Sequence, residues 1–256
     1  MSIFADVLVD TGANDVAANL MPGKIRSIVH DPETAEALVP KTYPIATKRM
    51  CVDTGHYATF NRPNVALVDL RATPIERITA TGVRTSSGEY PLDALVLATG
   101  FDAMTGTLTR IDIRGRGGRS LGNKWSEGPR TYLGLMVAGF PNLFTVTGPG
   151  SPSVLTNMMM SIEQHVEWIA DCIAWLEGRQ LATIEASEEA EAGWIAHVVE
   201  VADSTLFPQA DSWYMGANVP GKPRVFLPYV GGFAACVEAC NAVVANEYAG
   251  FVTARA

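Results

Sequence analysis

No G-x-G-x-x-G follows a strand anywhere in this chain, so the usual cradle for a dinucleotide pyrophosphate is missing from it. Equally absent are G-x-S-x-G, H-E-x-x-H and carboxylates paired at telling positions, which leaves hydrolase chemistry little to stand on. The four cysteines (51, 172, 236 and 240) form no C-x-x-C pair and no metal-ligand spacing with His56, His165 or His197. Cys236 and Cys240 lie one helical turn apart and read as buried free thiols, which suits a reducing cytoplasm. No apolar run reaches the roughly 18 residues of a membrane span, and Asp6 stands where a signal peptide would be basic. The net charge of −8 is spread rather than blocked, which argues against a nucleic-acid partner.

What remains is an ordinary folded composition, 48% hydrophobic and 18% charged over 256 residues, enough for one or two domains. Residues 13–21 and 25–38 carry apolar side chains at helical spacing, with Pro22-Gly23 between them and Pro40 as the stop. Asp31-Pro32 reads as a helix cap followed by a proline at the first helical position. Short strands are expected at 64–70, 76–79, 82–85 and 89–92, punctuated by Pro74, Thr81-Gly82 and Ser87-Gly88. Residues 94–98 form a continuous apolar run that stops at Thr99-Gly100, as a strand covered on both faces would. A glycine there marks the carboxyl edge of a sheet, where open α/β sheets bind ligands.

Beyond a glycine-rich stretch at 113–122, residues 125–140 read as irregular with one short helix, and 142–146 as another buried strand. That strand runs into Gly148-Pro149-Gly150-Ser151-Pro152 and then a long helix, whose apolar stripe comprises Leu155, Met158/Met159, Ile162, Val166, Ile169/Ala170, Ile173 and Leu176, with Gly178 as the stop. A further helix starts at Ser187, with Glu188 and Glu189 in its first turn, and presents Trp194, Val198 and Val201 on one face. A last helix is expected over 234–248.

Three features could carry chemistry. The glycine–proline loop at 148–152, placed before a helix N-terminus, could hold an anion, or it could be a plain reversal of direction. Lys48-Arg49 could divide work between a point charge and a planar fork, or form a solvated pair. Trp213-Tyr214 lies in a glycine-containing loop and could cover a ligand or pack on the core. The three histidines named above read as structural.

Together these blocks are specific. Lys48-Arg49-Met50-Cys51-Val52-Asp53, Ala98-Thr99-Gly100-Phe101-Asp102-Ala103-Met104-Thr105-Gly106, Gly148-Pro149-Gly150-Ser151-Pro152 and Trp213-Tyr214-Met215-Gly216-Ala217-Asn218-Val219-Pro220-Gly221-Lys222 resemble the Baeyer–Villiger monooxygenases, in unbroken order along nearly the whole chain. The resemblance covers only the carboxyl-terminal half of such enzymes; the FAD loop, the family fingerprint and the NADPH loop have no counterpart here. It implies an incomplete α/β flavoprotein, Rossmann-like and three-layered, lacking the amino-terminal FAD βαβ unit. Residues 1–44 would end a helical insertion, 45–94 would complete the NADPH domain, and 95–256 the FAD domain with the substrate pocket and the mobile loop.

By the same resemblance, Arg49 is the catalytic arginine that stabilises negative charge during oxygen transfer. Lys48 meets the NADP phosphate. Thr99, Gly100 and Asp102 form the crossing between the two domains, Ser153, Val154 and Leu155 border the substrate pocket, Met158 lies beside the flavin, and Trp213 reaches toward the nicotinamide. The implied cofactors are FAD and NADPH, the implied substrates a ketone and O2, and no metal is called for. Other readings are a partner chain that completes a separate amino-terminal polypeptide, and a related flavin enzyme oxidising nitrogen or sulfur. The isolated chain is expected to be inactive.

Overall fold

The computed structural model describes residues 4–52 and 54–255; the start of the chain and Asp53, the end of the Lys48 block, lie outside the described residues. The chain divides into two compact units. One comprises Thr11–Gly100 with the short piece ending at Val7, and the other Leu8–Asp10 with Phe101–Ala256.

The first unit opens with three helices, α1 (Thr11–Ala18), α2 (Leu20–Ile28) and α3 (Pro32–Leu38). Asp31 caps α3 by accepting the Thr34 N–H at 2.8 Å, with Pro32 in the first turn, as the sequence predicts. Pro22-Gly23 does not separate two helices. It sits in the first turn of α2, where a proline costs nothing because those N–H groups have no helical partner, and the break falls at Asn19. Ile25, Val29 and Ala35 bury a small core against Tyr57 and Phe60, the former from the one-turn helix α4 (His56–Thr59). An antiparallel meander follows, β1 (Ile75–Ile78), β2 (Gly82–Thr85) and β3 (Gly88–Pro91), within a residue of expectation.

Two strands expected in this unit are not formed. Residues 64–70 and 94–98 are extended or turned without ladder partners, and Val96 and Leu97 are 85% and 71% exposed. A strand exists only through the hydrogen bonds of its neighbours, and no described strand runs beside either segment. The sheets among the described residues are antiparallel, so the parallel, doubly covered strand read from residues 94–98 is corrected to an exposed segment outside any strand.

The second unit begins with the short helices α5 (Gly106–Arg110) and α6 (Leu121–Lys124), the latter preceding the irregular stretch rather than lying in it. Residues 142–146 form no strand; Phe144 makes a single bridge to Met136. The long α7 (Met158–Gly178), β4 (Thr183–Ala186), α8 (Glu188–Asp203), α9 (Phe233–Ala245) and β5 (Phe251–Ala254) complete the unit, and β4 pairs antiparallel with β5. Ser187 caps α8 through the Ala190 N–H, and Trp194 and Val198 are buried as expected.

The face of α7 is a correction. The buried stripe is Ser161, His165, Trp168, Cys172 and Leu176, whereas Met159, Val166 and Ile173 are exposed. This helix is apolar on two sides, and the core formed with Trp194, Tyr214, Cys240 and Tyr248 covers one of them. No described helix is long and apolar enough to cross a membrane.

Candidate functional site

In the first unit, a turn at 44–47 presents the Lys48-Arg49 pair. Thr47 closes it, donating its N–H and its hydroxyl to the Pro44 carbonyl at 3.3 and 2.6 Å. Ala46 takes a left-handed conformation, with φ of 68°. The turn is anchored from α1 by the buried Asn14. Its carboxamide accepts the Ile45 N–H and donates to the Ile45 carbonyl, both at 3.0 Å, and reaches the Val7 carbonyl at 2.7 Å. One side chain thus satisfies both backbone groups of the residue three before Lys48, as a paired strand would.

Lys48 and Arg49 line a cavity of about 520 Å³ whose walls include Tyr43, Met50, Cys51, His56 and Tyr57. The Lys48 ammonium stands 4.3 Å over the Tyr43 ring, a favourable cation–π arrangement. Partial burial, and then the positive charge of Arg71, push the Lys48 pKa below the ordinary lysine value. Arg71 is therefore a third cation of this neighbourhood that sequence reasoning missed; nothing in its local pattern marks it. A half-buried ammonium with a second cation in its neighbourhood is an electropositive corner, suited to a phosphate, and the exposed Arg49 adds a planar fork of donors. Thr99 and Gly100 do not line this cavity; both are exposed, and Gly100 has φ of +86°, which favours glycine there.

In the second unit the loop 147–153 is held from several sides. Thr131 Oγ1 donates to the Pro149 carbonyl at 2.6 Å, and Trp194 Nε1 to the Gly150 carbonyl at 3.0 Å. The Gly150 N–H is spent on the Leu227 carbonyl, and the Tyr229 N–H on the Ser151 carbonyl, each at 2.7 Å. Gly134 (φ +73°) gives the loop room, since a Cβ there would stand 2.5 Å from that of Ser151.

The loop does not feed directly into a helix N-terminus. A 3-10 turn, Ser153–Leu155, intervenes, and α7 starts at Met158 with Asn157 as its cap, accepting the Met159 N–H at 3.1 Å. The anion cradle read from this sequence is thus a rigid loop whose amides are partly committed, followed by a helix end capped by its own side chain.

Four predicted residues lie here. Ser153, buried and with φ of 43°, points its hydroxyl at Met158 Sδ, 3.8 Å away, and at Met104 Sδ, 3.5 Å away. Val154 and Leu155 pack half-buried against the main core. Met104 also has a positive φ, of 68°. Two non-glycine residues in the left-handed region in mutual contact are a local strain of the kind that collects at functional sites. Met104 was within reach of the sequence, since it belongs to the block that contains Asp102, but methionine carries no charge to draw attention. Asp102 itself is held by Lys222. Trp213 stands in a 3-10 turn, Trp213–Met215, half-buried, its ring 4.2 Å from that of Tyr214. Among the described residues no cluster of His, Cys, Asp and Glu is placed to hold a metal.

No family model matches the chain. It is, however, 42% identical over 253 residues to a Baeyer–Villiger monooxygenase of Pseudooceanicola batsensis, a match that takes in 98% of this chain and 46% of that one. The cyclohexanone 1,2-monooxygenase of Acinetobacter is likewise 42% identical, over 97% of this chain and 45% of the relative. This chain is homologous to the Baeyer–Villiger monooxygenases. It spans about half the length of the curated relatives it matches. The cyclohexanone monooxygenase of Rhodococcus sp. Phi1, solved with NADP+, superposes with a TM-score of 0.94 at 44% identity, over 98% of this chain and 47% of the other. The α/β architecture is therefore a partial Baeyer–Villiger monooxygenase fold. A phenazine N-monooxygenase of Lysobacter antibioticus is 44% identical over 97% of this chain and 46% of the relative.

Proposed function

We propose that this chain is the carboxyl-terminal part of a cytoplasmic FAD- and NADPH-dependent Baeyer–Villiger monooxygenase, which inserts one atom of O2 into a ketone to give an ester or lactone. The observation that carries the reading is Lys48 and Arg49 side by side on one cavity, with aromatic and sulfur-bearing walls and Arg71 close to Lys48. When bound, FAD reduced by NADPH supplies the activation of dioxygen. Lys48 holds a nicotinamide-nucleotide phosphate, and Arg49 stabilises negative charge near the reacting carbonyl without surrendering a proton. Ser153, Val154 and Leu155 border the ketone, Met158 borders the flavin, Trp213 covers the nicotinamide, and Thr99, Gly100 and Asp102 form the crossing between domains 45–94 and 95–256.

Catalysis on this reading takes amino acids that carry the two glycine loops, on a continuous or a separate polypeptide, and the described chain is inactive without them. The exposed Val96 and Leu97, and the uncovered face of α7 at Val166, favour such completion, because apolar surface of this kind costs free energy in water. Nitrogen oxidation is the second reading, favoured by the phenazine N-monooxygenase homology.

The test supplies the chain with an amino-terminal polypeptide bearing both glycine loops and follows lactone formation from cyclohexanone. Activity should appear only in the mixture. Arg49→Ala should abolish lactone while NADPH still bleaches the flavin; normal oxygenation by that variant would overturn the assignment. An isolated chain that purifies with stoichiometric flavin would overturn the requirement for completion, and oxidation of aromatic N-heterocycles in place of ketones would select the second reading.

A further inference from the structure

The loop at 211–223 carries Trp213, and three hydrogen bonds from its far end reach the beginning of the second unit. Lys222 Nζ donates to Asp102 Oδ1 at 2.7 Å and to the Ala103 carbonyl at 2.8 Å, and Asn218 Nδ2 donates to the Phe101 carbonyl at 2.9 Å. The Lys222 side chain is only 9% exposed, with Asp102 at 30%. Each member of the ion pair lies against a glycine. A Cβ at Gly106 would stand 2.3 Å from the Asp102 carboxyl carbon, and one at Gly216 would sit 2.8 Å from the Pro223 carbonyl and 3.4 Å from the Lys222 stem. Gly216 is also left-handed, with φ of +68°, and caps the Trp213–Met215 turn. The residue that ends the tryptophan's own turn is therefore the one that makes room for the lysine.

We propose that Lys222 is a positioning residue, a latch that ties the Trp213 loop to residues 101–103 through the Asp102 carboxylate and thereby sets where Trp213 stands. Its bearing on cofactor binding rests on the reading of Trp213 given above; the latch itself does not. A partly buried pair is the right device for such a task. A fully exposed pair contributes next to nothing, and a fully buried one leaves an unpaired charge when it opens, so the intermediate case holds firmly yet releases. A cavity of about 250 Å³ beside Asp102 and Lys222 gives ions access to the pair.

The test is hydrogen exchange of the cofactor-free chain, resolved by segment, for the wild type, Lys222→Met, the near-isosteric Asp102→Asn and the double variant. Each single substitution should speed exchange at 216–223 and 101–106 by about tenfold or more while α7 and α8 keep their protection. The double variant should be no worse than Lys222→Met alone, because one interaction has been removed twice. Exchange of the loop should also quicken with salt in the wild type and lose that dependence in both single variants. Unchanged loop exchange in Asp102→Asn overturns the latch. So does a uniform rise across the second unit, which would make Lys222 a packing residue, and so does salt dependence that persists without the pair. None of these readouts involves flavin or NADPH, so the latch and the oxygenase reading stand or fall separately.

Discussion

The ring of His165 accepts the backbone N–H of Thr147 at 2.9 Å, joining the buried face of α7 to the residue that opens the glycine–proline loop. Thr147 is left-handed, with φ of 52°, so a costly backbone conformation is held by one imidazole lone pair. Burial pulls the His165 pKa down to about 4, with the Thr145 backbone partly opposing. The folded pKa lies below the unfolded value, so the neutral ring stabilises the fold above about pH 6.5, and this contribution drains away as pH falls toward 4. The expected loss is about 3 kcal/mol. Denaturant melts of the wild type and His165→Asn, which keeps an acceptor near Nδ1 and does not titrate, should diverge over that window. Parallel pH profiles would refute the role of His165.

Asn14 makes a second prediction. Truncation of this side chain, itself 2% exposed, to alanine strands the Ile45 N–H and carbonyl together and should destabilise the first unit by about 3 kcal/mol. The turn that presents Lys48 should loosen with it. Urea unfolding of Asn14→Ala measures the cost; a loss under about 0.5 kcal/mol, the range of ordinary surface substitutions, would show that the carboxamide does not hold the turn.

What could be read from the sequence was what is decided locally. Asp31 and Ser187 announce their helices because a cap is made within three residues, and Thr81-Gly82 and Ser87-Gly88 announce a meander because a turn fixes its own register. Residues 94–98 misled because a buried strand and an unpartnered apolar segment have the same composition, and only a neighbouring strand separates them. The face of α7 misled because the helix is apolar on two sides and periodicity cannot say which is covered. β4 and β5 escaped notice as four-residue strands on opposite sides of two helices. At the site, Lys48 and Arg49 stand out as adjacent cations, whereas Asn14 acts on Ile45 from 31 residues away, a distance that no local pattern spans.

Gly134 should be intolerant of substitution. Alanine there meets Ser151 Cβ at 2.5 Å and its backbone nitrogen at 2.9 Å, and φ of +73° adds strain. Overpacking of this sort costs roughly 1–3 kcal/mol, with about 1 more for the left-handed conformation. Gly178→Ala, where an added Cβ meets nothing within 4 Å, is the control and should be close to neutral. Thermal melts of both report the difference, and equal stability of the two variants would show that the loop 147–151 yields freely.

Cysteine reactivity offers a probe of the cation-lined cavity. Cys172, Cys236 and Cys240 are buried; burial pushes Cys172 up to about 12, and a hydrogen bond to Cys240 raises Cys236 as well. Thiols kept out of water are out of reach of an alkylating reagent, so native alkylation should be confined to the exposed Cys51, which lines the cavity with Lys48 and Arg49. Mass spectrometry after brief iodoacetamide treatment should find the label on Cys51, and the other three should react only in denaturant. A nucleotide seated against Lys48 would shield that sulfur. NADP+ should therefore slow the labelling of Cys51 severalfold, NAD+ should slow it less because it lacks the extra phosphate, and Lys48→Ala should erase the difference between them. Equal protection by the two nucleotides in the wild type would remove Lys48 from phosphate recognition.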